Sequence, residues 1–337
     1  MSPSSIDLSA PELEARIQPG LQLVEQQLRR GVSGARGLID DLTGHLAKAG
    51  GKRLRPLLTL VAAQLGTPDR TLGPAVVDVA TVMEMTHLAS LYHDDVMDSA
   101  PTRRGVMSAH HLWGNNRAIL AGDVLFARAS QIIAPLGQEA VEHHAKVFER
   151  MCFGQLNETF GPEAGDDPVD FYLQVLADKT GSLVAASAYS GALHAGATEA
   201  QARLVEDFGE KIGVAFQIAD DVLDLTAPHS LSGKTPGTDL REGVRTLPVL
   251  LLHRRAEEGI LDQEGVAILE ALEGDLESDE VLAEVVARIV AHPVLQETQD
   301  LAREWARAAL DALEPLDDGE VKTALTALGE QMIDRQV

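Results

Sequence analysis

The chain has 337 residues, 45% apolar and only 4% aromatic, enough for one large core or two ordinary ones. Its 28 basic against 52 acidic side chains leave a formal charge of −24 and a pI near 4.7, which excludes nucleic acid and anionic membrane as general partners. A single cysteine, Cys152, excludes an internal disulfide framework, fits a reducing cytoplasm and is expected as a small buried hydrophobe.

Taken in order, residues 1–8 read as a disordered lead-in, with no basic leader or apolar signal region. Ser9-Ala10-Pro11-Glu12 reads as a capping box with proline in the first turn, opening a helix. Residues 20–49 keep helical spacing with a break near Gly31 and Gly34, and Gly50-Gly51 stops the run. The segment GGKRLRP (50–56) leads into a helix ending near Gly66, and Pro74 opens a long apolar helix.

That helix carries HLASLYHDDVMD. At about 100° per residue, Asp94 and Asp98 stand one turn apart on one face, with His87 two turns earlier on the same stripe and Asp95 beside them. Pro101 should break the helix, and Arg103 and Arg104 follow. Three crowded carboxylates facing two arginines read as a magnesium-mediated clamp for a phosphorylated ligand.

The stretches 115–134, 138–160, 169–195 and 199–226 are long, rich in Ala and Leu, and lack period-two alternation; no convincing strand or Gly-rich phosphate loop is found. The fourth ends in a second acidic cluster, Asp220, Asp221 and Asp224, again among apolar residues. Burying unpaired carboxylates is costly, so two such helices point to a shared metal site. Residues 227–248, rich in Gly, Pro and Ser, read as a lid, and 249–337 as acidic, solvated outer helices. The adjacent pairs His110-His111 and His143-His144 point about 100° apart on a helix, which argues against zinc; they are expected either exposed or as hydrogen-bonding supports behind a ligand. No apolar run nears the ~20 residues of a membrane span. The expectation is one all-α domain over 9–337, located in the cytoplasm.

In sequence order, GGKRLRP (50–56), His87, DDVMD (94–98), RRG (103–105), AGD (121–123), Gly154-Gln155, KTGSL (179–183), FQIADDVLD (216–224), GK (233–234) and GTDL (237–240) resemble the trans-isoprenyl diphosphate synthases, the polyprenyl synthetase family. The resemblance runs from about residue 45 to 250. It implies an all-α helical bundle around a deep cavity, usually a homodimer. It further implies three Mg²⁺ held by Asp94, Asp98 and Asp220, with Asp95, Asp221 and Asp224 as ligands or water holders. By the same resemblance Arg103, Lys179 and Lys234 supplement the clamp on an allylic diphosphate. Lys52, Arg55, His87 and Arg104 make a metal-free site for isopentenyl diphosphate, and Thr180 and Gln217 stand near the allylic cation. The family's EGK-x-TLP segment is replaced by Glu242-Gly243-Val244-Arg245-Thr246-Leu247-Pro248, so no lysine role passes to Val244.

Ala89 and Ser90, just before the first cluster, are expected to line the space beneath it, where a bulky aromatic would stop a growing chain. Their small size predicts a product beyond C15, with C30–C40 favoured and C20 the alternative. The floor is then expected among Phe148, Met151, Cys152 and Phe153. A terpene cyclase would not need GGKRLRP and the arginine pair, and a non-catalytic subunit would not need both intact aspartate clusters.

Overall fold

Pro11, Pro74, Pro168 and Pro293 each stand first in a helix, where φ is preset and the missing N–H has no intrahelical partner to lose. Asp167 caps the helix that Pro168 opens, its Oδ1 accepting from the amides of Val169 and Asp170, both at 2.9 Å, and Asp262 and Ser278 cap two others. The computed structural model describes residues 7–33, 37–227 and 236–334. Its longer helices are α1 (Pro11–Gly31), α2 (Leu54–Ala62), α3 (Pro74–Met97), α4 (Asn115–Ile133), α5 (Gln138–Phe160), α6 (Pro168–Leu176), α7 (Ser182–His194), α8 (Glu199–Thr226), α9 (Leu247–Glu257), α10 (Gln263–Leu272), α11 (Asp279–Ala291), α12 (Pro293–Ala312) and α13 (Glu320–Asp334). The all-α reading is borne out.

The chain divides into two compact units. The first takes the described parts of Met1–Arg150 with Ser182–Gly209 and Ala312–Leu328; the second takes Met151–Gly181, Glu210–Asp311 and the described part of Gly329–Val337. In the first unit α3 is the central element, packed against α1, α2, α4 and α7. Its apolar residues run round the whole helix between Val76 and Leu88, as a largely buried helix requires. Against the expectation that no apolar run nears the length of a membrane span, the stretch Asn115–Leu136 is by length and composition apolar enough to cross a membrane. It lays Ala118, Ala121, Leu125 and Ala129 inward and leaves Ile119 and Leu120 exposed. In the second unit α9 packs on α6 and α10, and α10 on α11. The acidic outer helices are more than a solvated face: Leu251, Ile268, Leu282, Ile289 and Val294 are fully buried in a common core with Val214 and Ile218 of α8.

Several local expectations are corrected. No capping box forms at Ser9, which has φ +54°; Ala10 is the cap residue, and Glu14 Oε1 instead accepts the Leu8 amide at 2.7 Å. Leu8, inside the expected lead-in, is buried, while residues 1–6 lie outside the described residues. A short antiparallel hairpin, β1 (Thr102–Arg103) and β2 (Val106–Met107), follows Pro101 where no strand was expected. Its two-residue turn is Arg104-Gly105, with φ +54° and +75°, the sign that a type I′ hairpin demands. Cys152 is exposed, because it falls on the outer side of α5. His144 is buried, its Nε2 2.9 Å from Thr86 Oγ1, a partner that two adjacent histidines in a sequence cannot announce.

Candidate active site

In the first unit the site grows from one face of α3. Between residues 79 and 92 every side chain is buried except His87, Ser90 and Leu91, which lie on the face that continues into Asp94 and Asp98. Ala89, about 140° round the helix from Asp94, is fully buried, so the two small residues have different surroundings. Asp95 points inward. It is wholly inaccessible, its Oδ1 accepts from Arg103 Nε at 2.6 Å, and its Oδ2 has no hydrogen-bond partner. Burial raises its pKa, against the opposing charge of Arg103. The hairpin is what brings Arg103 back onto the helix that precedes it.

Arg53 and Arg104 meet at a carboxylate that sequence reasoning passed over. Glu84, one turn before His87, is buried; its Oε1 takes Arg53 Nη1 at 2.9 Å and lies 3.8 Å from Arg104 Nη2. Its signal was a lone acid in the apolar run VATVMEMTHLAS. Arg53 turns inward, also bonding Glu25, whereas Lys52 is exposed. Arg55 Nε is buried with no hydrogen-bond partner. Burial lowers the Arg55 pKa to about 10, with Glu84 opposing and Arg104 reinforcing the shift, and the guanidinium stays charged at neutral pH. His87 is held well below its ordinary pKa by burial and by Arg55, Arg104, Arg103 and Arg53. It is therefore a neutral imidazole among four guanidinium groups, and the group as a whole suits a polyanion.

The second unit repeats the pattern at the end of α8. Asp220 is exposed and Asp224 half-buried, whereas Asp221 is buried and turned inward. Asp221 Oδ2 accepts the Tyr172 hydroxyl at 2.9 Å and the Leu247 amide at 3.2 Å. Burial raises its pKa well above the usual carboxylate range, although both hydrogen bonds oppose the shift. Tyr172, an aromatic residue in an apolar helix, gave no sequence signal. Lys179 and Thr180 sit in a single π-turn, Ala177–Gly181, between α6 and α7. Such turns widen the helix locally and are frequent at functional sites. Lys179 pairs with Glu158 of α5, which also accepts from Gln155 Nε2 at 3.0 Å. Gly154 makes this approach possible: a Cβ there would stand 2.6 Å from the Lys179 nitrogen. Gln217 is half-buried one turn before Asp221. Lys234 lies outside the described residues. Among the described residues no three His, Cys, Asp or Glu side chains converge as a protein-only metal cage.

Residues 36–289 match the sequence profile of the polyprenyl synthetase family. A nonaprenyl diphosphate synthase of Mycobacterium tuberculosis is 40% identical over 333 residues, covering 98% of this chain and 97% of that protein. An octaprenyl diphosphate synthase of Haemophilus influenzae is 34% identical, covering 97% of this chain and 98% of that one. The crystal structure of a geranylgeranyl pyrophosphate synthase from Corynebacterium glutamicum, complexed with calcium and isoprenyl diphosphate, has a TM-score of 0.84 and 39% identity, covering 97% and 98% of the two chains. With a profile spanning most of its length and a relative this similar from end to end, the chain belongs to the polyprenyl synthetase family.

Proposed function

We propose that the chain is a magnesium-dependent prenyltransferase that condenses isopentenyl diphosphate with an allylic diphosphate, giving an all-trans polyprenyl diphosphate longer than C15. The observation that carries this reading is the face of α3: an accessible carboxylate pair, Asp94 and Asp98, with the cation group of Arg55, His87 and Arg104 around the preceding two turns. Two accessible carboxylates at i and i+4, here and again at Asp220 and Asp224, fit Mg²⁺, which takes one or two carboxylates and leaves its other positions to phosphate oxygens and water. Bound there, the ions would neutralise the allylic diphosphate as it leaves. Three ions per site are carried over from the family resemblance.

Within this reading the chain's own groups divide the work. Asp94, Asp98, Asp220 and Asp224 hold metal, and Asp95 and Asp221, each locked by a partner, orient their neighbours. By the family resemblance, Arg103, Lys179 and Lys234 supplement the charge around the leaving diphosphate. Lys52, Arg55, His87 and Arg104 hold isopentenyl diphosphate without metal. Cleavage of the allylic C–O bond leaves a cation, near which the family resemblance sets Thr180 and Gln217. The homoallylic double bond attacks C1, and the departing diphosphate accepts the proton that is lost. No side-chain nucleophile takes part.

The names of the relatives from M. tuberculosis and H. influenzae support a long product, and C30–C40 is the range we favour. The C. glutamicum structure favours the second reading, C20. The family resemblance and the exposed apolar residues of α4 support a homodimer, and the single cysteine, which fits a reducing compartment, supports a cytoplasmic location. The test is purified protein with Mg²⁺, isopentenyl diphosphate and labelled farnesyl diphosphate, followed by chromatography of the dephosphorylated product. Chains of C30–C40 are expected, and Asp94→Ala should abolish turnover without loss of helicity. Release of C20 alone would establish the second reading; no consumption of isopentenyl diphosphate would remove both.

A further inference from the structure

Arg53 and Arg104 come from two segments far apart in sequence, and both segments are anchored at the same carboxylate. Arg53 leads out of the Gly50-Gly51 turn with φ +52°, a left-handed conformation that costs a side-chain-bearing residue about 1 kcal/mol and must be held from outside. Its guanidinium is held by Glu84 Oε1 at 2.9 Å, by Glu25, and by the carbonyls of Ala47 at 3.0 Å and Gly50 at 3.3 Å. Arg104, at the tip of the hairpin, sends Nη1 to the carbonyls of Leu46 at 3.2 Å and of Gly50, and Nη2 lies 3.8 Å from the same Glu84 oxygen. Gly51 permits this: a Cβ would stand 2.9 Å from Arg104 Cζ. Glu84 itself is only 2% exposed and belongs to the rigid central helix.

On the reading of Lys52, Arg55, His87 and Arg104 as a metal-free diphosphate site, we infer that Glu84 is its positioning residue. It fastens the strap of residues 46–53 and the hairpin tip to α3, and does not touch the substrate. Arg53 is consumed as the strap's anchor, and the neighbouring Lys52 and Arg55 are thereby fixed in direction. Arg55, whose Nε has no partner, is the cation left with an open donor.

The inference makes a prediction of unusual sign. Glu84→Gln removes a negative charge from among arginines, so charge attraction alone would tighten anion binding. Positioning demands the opposite. The measurement is calorimetric titration with inorganic pyrophosphate in EDTA, where metal-dependent sites are silent, with unfolding curves as the fold control. Glu84→Gln should bind at least tenfold more weakly than wild type. Its KM for isopentenyl diphosphate should rise by a similar factor, while that for the allylic substrate stays within twofold. Equal or tighter pyrophosphate binding by Glu84→Gln overturns the inference. If that variant does not fold, Arg53→Lys takes its place. It keeps the charge and loses the fork, the same tenfold loss is expected, and undiminished binding overturns the inference. Arg55→Met separates the two levels: if it binds pyrophosphate as well as wild type does, or wild type binds none without metal, the site reading fails instead.

Discussion

In both aspartate clusters the second residue is withdrawn from solvent. Asp95 is bound to Arg103 and Asp221 to Tyr172, while Asp94, Asp98, Asp220 and Asp224 stay accessible. Spacing alone separates these roles in part, since Asp94 and Asp98 share a face and Asp95 does not. The identity of each inward partner was hidden, because Tyr172 is 49 positions from Asp221 and nothing local marks it. Glu84 was more legible, since an acid in the apolar run VATVMEMTHLAS needs a cation, yet which arginines it takes depends on the hairpin. Away from the site, His143 gives a test of how burial acts on a single group. Burial first, then Arg203, His144 and His194, with Glu199 opposing, lower its pKa to about 4. An unfolded histidine titrates near 6.5, so the unfolded state binds the extra proton first as pH falls. This contribution to stability is therefore intact above pH 6.5 and is lost progressively towards pH 4, costing on the order of 1–2 kcal/mol by pH 5. His143→Gln should flatten that part of the pH profile in thermal melts at pH 7, 6 and 5. An unchanged slope would show that the imidazole titrates freely.

At the level of elements, helix positions were largely legible from proline, glycine and apolar spacing. Departures from regular geometry were not. The π-turn at Lys179–Thr180 and the Arg104–Gly105 hairpin both depend on a few backbone angles, and an Arg-Gly turn is weaker punctuation than Asn-Gly. The central helix shows what this means for specificity. Ser90 lies on the accessible face one turn below Asp94, whereas Ala89 is enclosed. Ser90→Phe should shorten the product by at least one isoprene unit with the fold intact. Ala89→Phe should act first on stability, since overpacking a filled core costs about 1–3 kcal/mol. Product chromatography and thermal melts on the two variants distinguish the positions. If Ala89→Phe shortens the product without lowering Tm, the assignment of faces is wrong.

For the whole molecule, the charge of −24 opposes association, so a homodimer must rest on apolar contact. The exposed Ile119 and Leu120, 40% and 60% accessible, belong to α4, within the stretch that is by length and composition apolar enough to cross a membrane. If the proposed homodimer forms through this face, Leu120→Glu should halve the native mass in sedimentation while leaving helicity unchanged, and a persistent dimer would place the interface elsewhere. The division into units also bears on how the protein is made. Neither unit is continuous in the chain, for the first receives Ala312–Leu328 and the second resumes at Gly329. Buried Leu325 and Leu328 belong to one unit and buried Met332 and Ile333 to the other. On the ribosome, then, an N-terminal half cannot mature while the remainder is being synthesised, as consecutive domains do. Both units gain their last buried segment from the same closing helix, so a chain halted before it leaves two unfinished cores at once.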